Sequence, residues 1–154
     1  MIGHELALVG GYWFLFTMAH FFADVGVQDH ETAVNKAYNP LTRFFHCAIY
    51  TMLMTLMMTT LNLTWGEILV SCLVLFSTHY IGDSYLIVSW WFKHYRDPPW
   101  AKGVSPKEMP EAFRRQPITT TLHIEIILFV LVDQLWHILW LGVPAFFAVW
   151  EGWL

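Results

Sequence analysis

Residues 66–92 read GEILVSCLVLFSTHYIGDSYLIVSWWF, an apolar run long enough to cross a bilayer, with His79 and Asp83 set inside it. A hydrocarbon core of about 30 Å asks for about 20 such residues in a helix. Windows of that kind recur at about 6–27, 41–63 and 119–142. The sequence therefore predicts an all-α fold, a four-helix transmembrane bundle, with residues 1–154 as a single integral membrane domain. The Asn62–Gly66 connection is so short that the second and third spans must form an antiparallel pair. Asn39-Pro40 reads as an N-cap followed by proline at the first helical position, and Gln116-Pro117 marks a similar entry to span four.

Composition agrees: 56% of residues are hydrophobic, 18% aromatic and only 13% charged, whereas soluble domains carry about 25% charged residues. A net charge of -4 without a basic stripe gives nucleic acid nothing to bind. Cys47 and Cys72 lie in apolar runs without CxxC spacing, which points to packing rather than to a zinc knuckle or a disulfide framework. No positively charged region precedes the first apolar stretch, so span one is expected to be retained rather than cleaved.

All eight basic residues fall in two connections: Lys36 and Arg43 flank the first, while Lys93, Arg96, Lys102, Lys107, Arg114 and Arg115 occupy the third. The positive-inside rule then makes those connections cytoplasmic, 93–118 among them, and puts both termini on the far side of the cell membrane. Trp65, Trp90, Trp91, Trp150 and Trp153 fall at the span boundaries, as an aromatic belt requires. Connection 93–118 holds five of the seven prolines. Its Ser105-Pro106-Lys107-Glu108 fits a capping box, which predicts a short interfacial helix through Arg115, with Arg114 and Arg115 near lipid phosphates. A solvated loop carrying the orientation signal is the plainer alternative.

The polar residues inside the spans bear on function. His20, Asp24 and Gln28 recur every fourth position on span one. His79 and Asp83 repeat the device on span three, where Gly82 allows a close helix approach, and Asp133, Gln134 and His137 repeat it on span four. His46 opens span two. A carboxylate at the bilayer centre costs about 2.5–3.5 kcal/mol on insertion scales, so each must meet a partner, a metal or trapped water. Imidazoles and carboxylates on converging helices are the ligand set of a divalent metal, zinc foremost. Seven candidate ligands exceed the four of one zinc site, so either two ions bind or some of the seven orient the others. The compact core is expected from His20, His79, Asp83 and Asp133, with Asp24, His46 and His137 as ligands or orienting groups, and Gln28, Lys36 and Gln134 facing substrate or the ligands. A metal-free hydrogen-bond network is the competing reading, though such networks usually employ serine, threonine and asparagine. Glu125 is expected to snorkel to the headgroups and Glu67 to mark the outer boundary.

The order His20-xxx-Asp24-xxx-Gln28, Lys36, His46, His79-xxx-Asp83, Asp133-Gln134-xx-His137 resembles the pattern of an uncharacterised family of small bacterial and phage membrane proteins. That family is known chiefly as a domain of unknown function and is loosely similar to predicted membrane-bound metal-dependent hydrolases. The resemblance implies a site at these positions, with metal binding as the usual conjecture, and no particular substrate. Val25 stands where the pattern usually has phenylalanine, a departure in packing rather than chemistry.

A hydrolase built on such a site would activate water against an ester or phosphoester, with a lipid headgroup linkage at the right depth and Gln28, Lys36 and the arginines of the third connection orienting a phosphate. Two other classes stand beside it. Buried Asp/His chains serve as ion or proton pathways, although four spans without repeats or broken helices count against a transporter. A structural subunit of a larger membrane assembly is also compatible with the small size and nine tryptophans.

Overall fold

The structure is a computed structural model that describes residues 2–26, 32, 35–61, 63–95, 102–105, 108, 111–112, 115 and 120–150. Among these residues every regular element is helical. Helix α1 (Ile2–Phe21) runs into a π-helical turn (Phe22–Gly26). Helix α2 (Pro40–Met58) starts where the sequence places it: Asn39 Oδ1 accepts the N–H groups of Leu41 and Thr42 at 2.9 and 3.3 Å, a cap worth about 1 kcal/mol. Helix α3 (Trp65–Gly82) opens on a full capping box, with Thr64 Oγ1 accepting Glu67 N–H at 3.3 Å and Glu67 Oε2 accepting Thr64 N–H at 2.9 Å. Glu67 is thus a cap. Helices α4 (Leu86–Tyr95), α5 (Thr120–Trp140) and α6 (Gly142–Trp150) follow.

Four stretches are long and apolar enough to cross a membrane: Leu6–Asp24, Pro40–Met58, Trp65–Gly82 and Ile127–Val149. Two of them depart from the expected boundaries. Span 66–92 is interrupted, because Asp83, Ser84 and Tyr85 form a turn between α3 and α4, with Tyr85 in the left-handed region at φ 57°. A side chain there costs about 1–2 kcal/mol. The turn is held by Tyr85 N–H on the Gly82 carbonyl at 2.8 Å and by the Tyr85 ring packed edge-on against Phe129, centroids 5.4 Å apart. Span four does not stop near 142. Pro144 has no N–H to offer the Trp140 carbonyl, so the helix breaks at Leu141 and resumes as α6. The sequence reading counted no broken helix; the structure contains these two interruptions.

Helices α2 and α3 pack as a hairpin, α1 lies against α6, and α5 packs on α3 and α4. Phe16, Met54, Met58, Leu75 and Leu141 fill the space between them, and Val88, Phe92 and Phe129 form a smaller cluster between α4 and α5. In lipid, helices associate by close packing rather than by exclusion of water, so small residues mark the contacts. Gly82 is such a point: a Cβ there would lie 2.7 Å from His137 Nε2 and 2.8 Å from Trp136 Cδ1. Trp136 Nε1 donates to the Thr78 carbonyl at 3.0 Å beside it, locking α5 to α3.

In the third connection the Glu108 carboxylate accepts both the N–H and the hydroxyl of Ser105, at 3.0 and 2.7 Å. Those bonds hold this exposed carboxyl below its ordinary pKa. The Lys93 ammonium donates to the Val104 carbonyl. Of the expected interfacial helix, Arg115 N–H reaches the Glu111 carbonyl at 3.2 Å, while Arg114 and the Gln116-Pro117 start lie outside the described residues. Glu125 is buried, not extended toward headgroups.

Candidate metal centre

The π-helical turn decides where Asp24 goes. In a regular α-helix His20 and Asp24 share a stripe, but the wider turn over Phe22–Gly26 carries Asp24 off that stripe toward α2. There its Oδ1 lies 2.9 Å from His46 Nε2 and 3.7 Å from His79 Nε2. Asp83, at the end of α3, brings its Oδ2 to 3.3 Å from both imidazole nitrogens. The two imidazoles face each other with Nε2 atoms 3.0 Å apart. Each of Asp24, His46, His79 and Asp83 thus offers one donor atom, all within 4.8 Å of one another.

The donor set fits a zinc-sized cation. Bonds of about 2.0–2.1 Å in a tetrahedron put donors about 3.3 Å apart, and the five separations given above run from 2.9 to 3.7 Å. Two carboxylates and two imidazoles also form a donor mixture that a borderline dication accepts. None of the four residues is more than 6% exposed, so bulk water does not satisfy these charges.

Lys36 belongs to the same cluster. Its ammonium lies 2.9 Å from Asp83 Oδ1 and 3.1 Å from Asp24 Oδ1, and 3.4 Å from His46 Nε2. Burial alone pushes the Lys36 pKa down, but Asp83 and Asp24 outweigh it and hold the ammonium above the usual lysine range. Arg43 fixes the backbone of that turn, donating from Nε to the Lys36 carbonyl at 2.8 Å and from Nη2 to the Ala37 carbonyl at 2.9 Å, while its guanidinium lies over the Tyr80 ring at 5.0 Å.

The remaining expected residues stand one layer away. His20 meets the Tyr50 hydroxyl through Nδ1 and Gln134 Oε1 through Nε2, each at 3.2 Å. Gln134 Nε2 donates to Asp133 Oδ2 at 3.4 Å. His137 donates from Nδ1 to the Asp133 carbonyl at 2.8 Å, which leaves the lone pair on Nε2. That atom is buried without a hydrogen-bond partner among the described residues and faces Asp83 Oδ1 at 3.7 Å. The core expected from the sequence therefore has different members in the structure: Asp24 and His46 stand beside His79 and Asp83, whereas His20 and Asp133 lie in the adjoining network. Gln28 lies outside the described residues.

Sequence reading overlooked Tyr50, Arg43 and Cys47. Tyr50 stacks on the His79 ring with centroids 4.0 Å apart, and Cys47 Sγ–H points at Asp83 Oδ2 at 3.9 Å. The signal for all three was the spacing Arg43, His46, Cys47, Tyr50, Met54, Met58, the buried stripe of α2 on which His46 sits.

No curated protein and no solved structure matches this chain. A family model does match residues 13–152, a stretch that contains every member of the cluster, and the chain belongs to the family described as Protein of unknown function (DUF3307).

Proposed function

We propose that this protein is an integral protein of the cell membrane, with both termini on the non-cytoplasmic side. In this reading it holds a divalent cation, zinc before others, at Asp24, His46, His79 and Asp83 and hydrolyses an ester or phosphoester in a lipid-linked substrate. The observation that carries the metal site is the match between the donor separations, 2.9 to 3.7 Å, and the edges of a zinc-sized tetrahedron; the hydrolase reading adds to it the unpartnered His137 Nε2 and the Lys36 ammonium beside the cluster. Such a cation supplies Lewis acidity and makes water a better nucleophile at neutral pH. The chain supplies the rest. His137, with its free Nε2 lone pair, takes a proton from the attacking water as the new oxygen bond forms, and returns it to the departing oxygen as the old bond breaks. With two carboxylates, one ammonium and a dication the cluster keeps a net positive charge, which favours an anionic group such as a phosphoester beside Lys36.

One observation favours a second reading. Four protein donors complete a tetrahedron, as in structural zinc sites, and a stapled bundle would suit a subunit of a larger membrane assembly. Elemental analysis of the detergent-purified protein with His79→Ala and Asp83→Asn variants tests the shared premise. About one metal per chain in the wild type, lost in both variants, is expected. A metal-free wild type that is fully folded would overturn both readings in favour of a hydrogen-bonded core. Turnover of a phospholipid or lipid phosphate by the metal-loaded protein then separates enzyme from staple.

A further inference from the structure

The face between α1 and α5 is open at membrane depth. Trp13 Nε1 donates to the Ile138 carbonyl at 2.8 Å at one level, and His20 reaches Gln134 at another. Along this seam lies a groove of about 430 Å³, with Phe21 on one wall and Ile127, Val130, Leu131 and Leu135 on the other. That volume falls within the range of small-molecule sites, which are mostly apolar with a few placed polar groups. From Ile127 to Ile138 it follows α5 for about 16 Å, at about 1.5 Å per residue. Gln134 is the one polar residue in its lining.

We propose that this groove holds the alkyl chain of a membrane amphiphile, whose polar end lies at Gln134. The proposal rests on the hydrolase reading and names the route by which its substrate arrives. Three observations carry it. First, the groove sits within the spans Leu6–Asp24 and Ile127–Val149, where the filling medium is hydrocarbon. Second, its single polar wall is continuous with the cluster: Gln134 Oε1 meets His20 Nε2 at 3.2 Å, and the His20 ring lies 5.9 Å from that of His79 and 5.5 Å from that of His137. Third, Asp24, Lys36, His46, His79 and Asp83 are all buried, so a hydrocarbon-side entrance suits a substrate that carries its own apolar tail.

The test places the metal-analysed protein in phosphatidylcholine nanodiscs doped with a phosphatidylcholine bearing a diazirine on one acyl chain, followed by photolysis and peptide mapping. Label concentrated on residues 127–135 and Phe21, in excess over the equally lipid-exposed Leu69 and Leu73 of α3, is expected. Leu131→Trp fills the groove and should lower that label about fivefold with metal content unchanged, and the milder Leu131→Phe serves if the tryptophan variant does not fold. Label spread evenly over all lipid-facing stretches, or undiminished in a folded groove variant, overturns the alkyl-chain site whatever the metal content. Groove-selective label on a wild type without metal keeps the alkyl-chain site and sinks the hydrolase reading alone.

Discussion

Lys36 stands against three of the four residues that a dication would use, at Asp24 Oδ1, His46 Nε2 and the second oxygen of Asp83, so ammonium and metal compete for the same carboxylates. Replacing it by methionine removes a positive charge from beside the ion and leaves Asp24 and Asp83 without their counter-ion when the metal is absent. Lys36→Met should therefore bind Zn²⁺ at least about tenfold more tightly, about 1.4 kcal/mol, while its metal-free form melts at a lower temperature than the wild type. Calorimetric titration and thermal melts in detergent check both effects, and weaker zinc binding would show that Lys36 positions the ligands instead of opposing the ion. At this scale the sequence showed which residues are expensive in lipid, because aspartate and histidine inside apolar spans announce themselves. It did not show their pairing. His79 and Asp83 act on one point, but across the π-helical turn Asp24 pairs with His46 while His20 bonds Tyr50 and Gln134, and His137 turns to the Asp133 carbonyl rather than joining its carboxylate. Four-residue spacing fixes a partnership only where the helix between is regular.

Elements meet closely where α5 crosses α3 at Gly82. Gly82→Ala puts a methyl group at 2.7 Å from His137 Nε2 and 2.8 Å from Trp136 Cδ1, both on rings that packing holds in place. Overpacking of this kind costs about 1–3 kcal/mol, and a lowered melting temperature is expected. On the hydrolase reading proposed above, the shift of His137 also reduces turnover, with the metal content unchanged. A variant as stable as the wild type would show that α5 slides freely on α3. The close approach at Gly82 was legible in the sequence, as was the Asn39 cap. The turn at Asp83–Tyr85 was not, since apolar residues continue through it without a proline, whereas Pro144 carried a break signal for the end of α5 that the apolar count overrode.

For the molecule as a whole, the cluster joins the π-helical turn after α1, the second turn of α2 and the end of α3, so a bound ion ties three apolar stretches together. An ion present at a thousand times its dissociation constant stabilises the fold by about 4 kcal/mol. Chelation should accordingly lower the melting temperature of the wild type but not that of His79→Ala, which scanning calorimetry with and without a chelator would measure. The bundle and its four membrane-length apolar stretches followed from apolar length alone. The role of the first connection followed only in part: the sequence places Lys36 near substrate or the ligands but marks Arg43 only as a topology signal, whereas the structure buries both within the protein. That burial bears on biogenesis. Asp24 has its counter-charge only twelve residues along the chain, in Lys36, so the two can meet within one helical hairpin. If these helices enter a bilayer, that local pair brings the Asp24 carboxylate in already neutralised, without help from His79 and Asp83 farther along the chain.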